Sequence, residues 1–573
     1  MNTAQTALQV TPQTTYTHEH IQAQYEQARL LHSQGQYEKS NHVLEPLLPI
    51  INQETLYILQ ALNLLRLHKH KESFLILEQI IKQNPNSSLA YLLLGDIFID
   101  KKDDKQAYIC YQRSYELEPN TVDIHNRLVN YYSVSKDREL IKKHSLASLQ
   151  INSKQPEILK KIAYTYGLEE NYDECLKYYK YLLSFEKAEE IYHFIGLVYS
   201  NNDEYEKALE YFHASLQTFA KTDQNAFLTC SYNVATAYHK LGSYEKAKQW
   251  YFTHIAHDNS HQKSHWGLSV LYLLHEDYEN GWAKYEWRRK FPDFHTMTHG
   301  LLEGTPEYNG EDLEGKIVSI HSEQGYGDTI QFFRFLAIFA YKMKVKKIIF
   351  RAHSFVYPLV RPYQNEKCEI YPEGYKHVKH LTIDYQLPLM SLPYLLKLGA
   401  KDIVGRAYLE TSQSCPVKLD RNKVNIGLAW QGNRKNKNVL RNLQVIEFIP
   451  LFDEKYDFYS LQLKDENQEI AKANLSNHIY CVDAHLVDFR ATAALIKELD
   501  VVITADTVIA HLAGALGKKV ILLLQYAPDW RWLLDRSDSP WYDSMIIFRQ
   551  HKIYSFTEAI EDVKEYLTKN FTA

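Results

Sequence analysis

Apolar residues in the first half of the chain recur at helical spacing, and the whole frame returns further along the sequence. Three copies are clear: Tyr91, Leu94, Gly95, Phe98, Ala107 and Tyr111; Tyr192, Ile195, Gly196, Tyr199, Ala208 and Phe212; and Val234, Ala235, Tyr238, Gly242, Ala247 and Tyr251. Weaker copies lie around positions 37–40, 73–85, 166–179 and 272–285. Adjoining copies are about 33–34 residues apart, which predicts a repeated pair of antiparallel helices.

A period of this length is typical of tetratricopeptide repeats (TPRs), in which a small residue lets the two helices approach and larger residues fill the gap. One pair cannot bury its apolar face alone, so neighbouring pairs stack into an α-solenoid. We predict seven or eight units over residues 20–290, with 122–154 the least regular, preceded by a disordered segment at 1–19.

The concave face of such a solenoid commonly binds a peptide or a folded protein, and a protein partner held in the TPR groove is expected here. The alternative is a solenoid that dimerises the protein or spaces it from a partner. Because the frame residues are packing residues, the sequence nominates no individual groove residue.

The hydrophobic pattern changes after residue 290. A linker punctuated by proline and glycine is predicted at 291–312. Short apolar runs then alternate with helical stretches near 329–343, 492–499 and 508–516. The runs are KIVSI (316–320), KKIIF (346–350), VNIGLAW (424–430), DFYSLQL (457–463), HIYCV (478–482), DVVITA (500–505) and KVILLL (519–524). This alternation predicts two parallel sheets in two Rossmann-like lobes, at 313–415 and 416–573, with ligands bound at the carboxyl ends of the strands.

Composition narrows the possible partners and compartment. A formal net charge of −5 without a dominant basic block disfavours nucleic-acid binding. The 6 cysteines are scattered, with no CxxC pair and no Cys/His cluster at metal spacing, which favours a reducing compartment and no metal. The N-terminus lacks the pattern of a signal peptide, and no apolar run is long enough for a transmembrane segment. We therefore expect a cytoplasmic protein.

The first polar turn of interest is HSEQGYGD (321–328), between a predicted strand and a predicted helix. Gly325 and Gly327 allow close backbone approach to a ligand, and Gln324 precedes them. Asp328 falls where a carboxylate caps a helix. A catalytic base is the other interpretation of Asp328, and the spacing alone leaves both open.

Two further turns follow strands of the second lobe. In ITADTVIAHLAG (503–514), Asp506 and Thr507 fall at a helix start, where free N–H groups favour phosphate. His511, one turn later, could reach a phosphate or ribose, or it is a satisfied polar contact. In GLAWQGNRKNKNVLRNL (427–443), the cations at 434, 435, 437 and 441 could neutralise a diphosphate, or they belong to a solvated loop.

A fourth segment, YAPDWRWLLDRSDSPWY (526–542), is dense in tryptophan and arginine. It could stack a sugar or a base, or it could pack between the lobes.

Jointly, several stretches resemble bacterial TPR proteins with a heptosyltransferase-like domain of glycosyltransferase family 9. They are EQGYGDTIQF, DYQLPLMSLP, GLAWQGN, DFRATAALIKELDVVITADTVIAHLAGALGK and PDWRWLLDRSDSPWY, and the resemblance covers nearly all of 265–550. It implies a GT-B fold, in which the N-terminal lobe holds the acceptor and the C-terminal lobe holds the nucleotide-sugar donor.

The resemblance also implies roles for individual residues. Asp328 corresponds to the general base that deprotonates the acceptor hydroxyl, in a turn that includes Gln324, Gly325 and Gly327. The residues implied in donor binding are Asp506, Thr507, His511, Arg441, Gln431, Gly432 and Asn433. Departures from the family pattern are Val439 or Leu440 at the expected acidic place and Tyr308 in place of a tryptophan.

The expected activity is metal-independent, cofactor-free transfer of a sugar from a nucleotide-sugar donor to a hydroxyl, on a serine or threonine of a protein bound by the TPR arm. By analogy the transfer would be inverting. An enzyme acting on a glycan or lipid acceptor is one alternative. A non-catalytic TPR adaptor with a degenerate transferase domain is the other.

Overall fold

The computed structural model describes residues 17–49, 51, 53–186, 189–294, 302, 304–375, 382–432 and 439–571. The chain divides into two compact units, Met1–Ile191 and Tyr192–Ala573. The first unit consists of helix hairpins. The second unit contains further hairpins followed by two α/β lobes.

The helices of the first unit pair in chain order. They are α1 (His18–Ser33), α2 (Tyr37–Leu44), α3 (Glu54–Arg66), α4 (His70–Gln83), α5 (Ser88–Asp100), α6 (Asp104–Leu117), α7 (Val122–Ser135), α8 (Arg138–Ile151), α9 (Pro156–Leu168) and α10 (Tyr172–Leu183). The hairpin α7–α8 is regular, although its sequence frame is the weakest. Helix α1 begins at His18, so residues 18 and 19 are helical rather than disordered, and 1–16 lie outside the described residues.

The second unit begins with three more hairpins and then a short 3₁₀ segment, Glu286–Lys290. The helices are α11 (Glu189–Asn201), α12 (Tyr205–Thr222), α13 (Gln224–Lys240), α14 (Tyr244–His257), α15 (Gln262–Leu274) and α16 (Tyr278–Tyr285).

A left-handed residue ends the first helix of every hairpin and gives the repeat a backbone signature. These residues are Gly35, His68, Lys102, Lys136, Glu170, Asp203, Gly242 and Glu276. Left-handed backbone closes a helix C-terminus, most often at glycine. Successive positions differ by 33 or 34 residues, except that Asp203 and Gly242 differ by 39, because α12 and α13 are longer than the other repeat helices. Eight repeats are therefore present in the described residues.

The small residues of the repeat frame allow the close helix approach that the sequence predicts. A Cβ placed on Gly196 would lie 2.6 Å from the Phe212 ring, and one on Gly95 would overlap the Tyr111 ring. Each glycine lies on the first helix of its hairpin and each aromatic ring on the second.

The first lobe is a parallel sheet of four strands in the order β3-β2-β1-β4. Its strands are β1 (Ile317–His321), β2 (Lys347–Ala352), β3 (Cys368–Pro372) and β4 (Tyr385–Pro388). Its α-helices are α17 (Tyr326–Phe333), α18 (Phe335–Lys342), α19 (Tyr357–Val360) and α20 (Leu392–Leu395). The single helix predicted at 329–343 is two helices, α17 and α18, that meet at Arg334 and start three residues earlier than predicted.

The second lobe is a parallel sheet of six strands in the order β10-β9-β8-β5-β6-β7. Its strands are β5 (Val424–Ala429), β6 (Tyr456–Ser460), β7 (Ile479–Cys481), β8 (Val501–Ala505), β9 (Val520–Leu524) and β10 (Met545–Arg549). Its α-helices are α21 (Lys464–Lys472), α22 (Phe489–Glu498), α23 (Val508–Ala515) and α24 (Thr557–Asn570). Strands β5, β8 and β9 are buried along their whole length, as expected for the centre of a parallel sheet.

The last hairpin of the second unit packs into the core that the two lobes share. The Trp282 ring on α16 packs edge-on against Trp530 of the second lobe and Phe332 of the first lobe, with ring centroids 5.3 Å and 6.3 Å apart, respectively. The Trp282 indole N–H donates to the Leu398 carbonyl at 3.1 Å. The end of the repeat array and both lobes are thus one packed body.

Within the described ranges, no helix combines the length and apolar character that crossing a bilayer requires.

Candidate functional site

The turn after β1 is closed by a hydrogen bond from the N-cap backbone to an aspartate three residues later, which is one half of a capping box. Gln324 takes a left-handed backbone with φ of 58°, and Gly325 is the N-cap of α17. The Gly325 N–H donates to Asp328 Oδ2 at 2.8 Å. The capping interpretation of Asp328 is therefore confirmed.

Asp328 also contacts the second lobe. Arg531 Nη2 donates to Asp328 Oδ1 at 2.5 Å, and the two side chains are 8% and 18% exposed, respectively. A carboxylate has about four lone-pair sites, so these two contacts leave acceptor capacity on both oxygens. Capping and proton acceptance are compatible, and the role of Asp328 as a base stays a prediction.

Arg531 lies at the junction of the two lobes. Its guanidinium donates to Asp529 Oδ1 at 2.8 Å and to Gln331 Oε1 at 2.7 Å, in addition to Asp328. Arg531 and Asp529 were not predicted as site residues, although both lie in the tryptophan-rich segment 526–542. The only signal was an arginine between two tryptophans.

The turn after β8 starts helix α23. Thr507 is the N-cap, and its Oγ1 accepts from the Ile509 N–H at 3.2 Å. Asp506 is half-buried beside it. Burial and the Asp529 charge raise the pKa of Asp506 to about 6, against the opposing charges of Arg441 and Arg531. The predicted donor turn therefore has a carboxyl group with a raised pKa, and the charges of Asp529, Arg441 and Arg531 act on it.

His511 on α23 is a satisfied polar contact. Its Nδ1 is 2.9 Å from the Tyr542 hydroxyl, and its ring stacks on Trp532 at 5.2 Å. Burial, with the charges of Arg531 and Arg334, holds the pKa of His511 well below its usual range, so the ring is neutral. A Cβ on Gly327 would lie 2.7 Å from His511 Cδ2, which explains why the turn needs glycine there. A donor-binding role for His511 stays a prediction.

The loop after β5 is partly within the described residues. Asn433 and the cations at 434, 435 and 437 lie outside them. Gln431 Nε2 donates to Glu469 Oε1 at 3.1 Å, and the Gly432 N–H donates to Asn442 Oδ1 at 3.2 Å. A Cβ on Gly432 would lie 2.7 Å from Arg441 Nη2, so this glycine makes room for the guanidinium.

The tryptophan-rich segment is packed between elements rather than open to a ligand. Trp530, Trp532 and Trp541 are at most 2% exposed. The packing interpretation is therefore confirmed for these three rings.

The structure thus brings four predicted site residues to one region at the carboxyl ends of β1, β5 and β8. They are Asp328, Arg441, Asp506 and His511, and Arg531 and Asp529 connect them. Within the described ranges, no group of three or more His, Cys, Asp or Glu side chains is arranged as metal ligands.

Comparison with protein families identifies three segments. Residues 455–564 match the model of glycosyltransferase family 9 (heptosyltransferase). Residues 89–121 and 187–256 match models of the tetratricopeptide repeat. No curated protein matches the chain.

Among solved structures, the chain resembles the C-terminal part of a TPR repeat-containing protein from Cytophaga hutchinsonii, at 16% identity and a TM-score of 0.36, over 43% of this chain and 99% of that one. It also resembles PilF of Pseudomonas aeruginosa, at 19% identity and a TM-score of 0.29, over 36% of this chain and 92% of that one. Similarity at this level carries no functional argument.

Proposed function

The chain combines tetratricopeptide repeats with a C-terminal glycosyltransferase family 9 domain, and on that premise we propose that it transfers a sugar from a nucleotide-sugar donor to a hydroxyl group. The acceptor we propose is a serine or threonine of a protein bound by the repeats. The two lobes would work as a GT-B enzyme, with the acceptor at the first lobe and the donor at the second.

One observation carries this proposal. The ion pair between Asp328 and Arg531 holds the turn after β1 against the second lobe. In that lobe the Arg441 charge interacts with the Asp506 carboxyl group and lowers its pKa. A base for the acceptor and cations for a departing diphosphate would then face one cleft. Transfer between two bound substrates needs this arrangement.

The proposed chemistry follows from the charges of these groups. The acceptor hydroxyl attacks the anomeric carbon, and Asp328 takes its proton. The bond between the anomeric carbon and the phosphate oxygen breaks, and the nucleoside diphosphate leaves with the electron pair. Arg441 and the first N–H groups of α23 would stabilise the negative charge that develops, because preorganised donors are worth most in a dry cleft. Direct displacement would invert the anomeric configuration, and guanidinium and N–H groups would take the place of a metal ion.

The test compares two aspartates that accept the same hydrogen bond, from the backbone N–H three residues earlier. Asp402 makes the same contact in the first lobe, where its Oδ2 accepts from the Gly399 N–H at 2.9 Å. Asp402→Asn therefore repeats the loss of that backbone contact away from the proposed site, while the ion pair with Arg531 is lost only in Asp328→Asn.

Nucleotide release from UDP-, GDP-, ADP- and dTDP-sugars is measured with the full chain, with and without candidate hydroxyl acceptors. We expect turnover of one donor class, a kcat about 100-fold lower or more in Asp328→Asn, and an unchanged rate in Asp402→Asn. An undiminished rate in Asp328→Asn would overturn the base assignment. No turnover of any donor would favour the adaptor alternative.

A further inference from the structure

The turn between helices α13 and α14 rests on the second lobe. Gly242 in this turn is left-handed, with φ of 71°, and a Cβ there would lie 3.2 Å from the Tyr526 ring. Tyr526 follows β9, and its N–H donates to Gln550 Oε1 at 2.9 Å. The segment that Tyr526 opens leads to Asp529. One hairpin of the repeat array is thereby placed beside the proposed donor site.

The last two residues of α13, His239 and Lys240, join the charged groups of that site. The charge of Asp529 raises the pKa of both residues, and the charge of Arg441 lowers the pKa of Lys240. Arg441 and Asp529 also act on Asp506. These five residues, which we call the arm–lobe cluster, connect the repeats with the turn after β8 and the loop after β5.

The surroundings of Lys240 disfavour the charged form of its ammonium group. Burial lowers the pKa of Lys240, and the Arg441 charge lowers it further, although Asp203 and Asp529 oppose this. Burial, with the neighbouring Lys240 charge, also lowers the pKa of His239 to about 4, so this imidazole is neutral at pH 7. Two cations held near one another at a half-buried site are stabilised by a bound anion.

Among the residues that the structure describes, no partner uses the donor capacity of these two cations. Within the described residues, neither Lys240 nor Arg441 forms a hydrogen bond or an ion pair, and Arg441 Nε is buried without a partner. Arg531 contrasts with them, because its contacts to Asp328, Asp529 and Gln331 occupy it. An ammonium group offers three donors and a guanidinium five.

We propose that Lys240 contacts the diphosphate of the nucleotide-sugar donor together with Arg441, so that the repeat array supplies a residue of the donor site. This inference rests on the function proposed above and extends it. An ammonium on a flexible stem binds phosphate as a point charge, while the planar guanidinium of Arg441 can make paired hydrogen bonds. The repeats would then take part in donor recognition as well as in binding a protein acceptor.

The test separates the charge of Lys240 from its packing. Lys240→Met keeps the length of the aliphatic stem, Lys240→Gln is the substitute if the methionine variant fails to fold, and Lys240→Arg keeps the charge. Lys246→Met is the matched control, because Lys246 is exposed on α14 of the same hairpin and lies over the Tyr238 ring. Thermal unfolding verifies that each variant is folded.

Calorimetric titrations use UDP, GDP, ADP and dTDP and the corresponding nucleosides. For the diphosphate that binds the wild type, we expect Lys240→Met to weaken affinity about 10-fold and to flatten its dependence on salt. Nucleoside binding should not change, Lys240→Arg should retain most of the affinity, and Lys246→Met should match the wild type. If Lys240 served packing alone, Lys240→Met would change the affinities for the diphosphate and for its nucleoside equally.

The outcomes distinguish this inference from the function on which it rests. If Arg441→Ala weakens diphosphate binding and neither Lys240→Met nor Lys240→Gln does, the role of Lys240 is overturned and the donor site stands. If the wild type binds none of the four diphosphates, the proposed function fails, and the role of Lys240 fails with it.

Discussion

Arg288 and Glu323 form a bidentate ion pair in which both side chains are buried. Arg288 Nη2 donates to Glu323 Oε1 at 2.7 Å and Nε donates to Oε2 at 3.0 Å, with 2% and 1% of the side chains exposed. Glu323 Oε1 also accepts from the Met390 N–H at 2.9 Å. The pair fastens the segment after the last repeat to the turn that carries Asp328.

Breaking this pair from one side should strongly destabilise the second unit. Arg288→Met leaves Glu323 buried without its cation, which costs about 3–5 kcal/mol in free energy of unfolding. Arg289→Met is the control, because the ion pair of Arg289 with Glu307 is partly exposed and contributes at most about 1 kcal/mol. Urea unfolding followed by fluorescence measures both, and equal losses would contradict this account.

Replacing the second glycine of the turn should perturb the lobe junction. The Cβ of Gly327→Ala would overlap the buried His511 ring, and forced repacking of this kind costs about 1–3 kcal/mol. Gly325→Ala is the matched variant, since its Cβ would lie 3.1 Å from Asp328 Oδ2 and meet no ring. In thermal unfolding, the midpoint temperature of Gly327→Ala should be well below that of Gly325→Ala. The reverse order would refute the role assigned to His511 packing.

The carboxyl group of Asp506 should make stability depend on pH. Its folded-state pKa of about 6 lies above the ordinary aspartate pKa of 3.8, so its stabilising contribution is complete below about pH 4 and is lost as pH rises through 6. Asp506→Asn removes this dependence. We expect the variant to be more stable than the wild type at pH 7.5 and to lose most of that advantage at pH 4.5.

Urea unfolding at the two pH values measures the difference in free energy of unfolding between the variant and the wild type. Asp500→Asn, at the residue that directly precedes β8, controls for a general effect of removing an aspartate. A stability difference between Asp506→Asn and the wild type that is the same at both pH values would exclude the raised pKa.

The fold was largely predictable because its signals are periodic. Equivalent residues return every 33 or 34 positions in the repeats, except for the interval of 39 between Asp203 and Gly242, and β5, β8 and β9 are mostly apolar runs. Strands β3, β4 and β10 were missed. The sequences of β3 and β4, CEIYP and YQLP, contain polar and proline residues and do not stand out from loops, whereas MIIFR of β10 is an apolar run as long as the predicted KIVSI.

The candidate site was predictable only in part. Turns that follow strands are visible in the sequence, and these gave Asp328, Asp506 and Arg441. Arg531 reaches Asp328 across 203 positions of chain, and Lys240 belongs to a repeat whose other residues serve packing. Contacts of this kind depend on how lobes and hairpins pack, and no local pattern encodes them.

The most direct test of the central claim is binding of nucleoside diphosphates to the full chain. We would titrate UDP, GDP, ADP and dTDP by calorimetry into the wild type, Arg441→Ala and the control Arg421→Ala, whose ion pair with Glu498 is exposed. The account predicts that one diphosphate binds, that Arg441→Ala weakens it about 10-fold, and that Arg421→Ala does not change it. Absence of binding by all four, or equal affinity in the wild type and Arg441→Ala, would contradict a donor site at the carboxyl ends of β5 and β8.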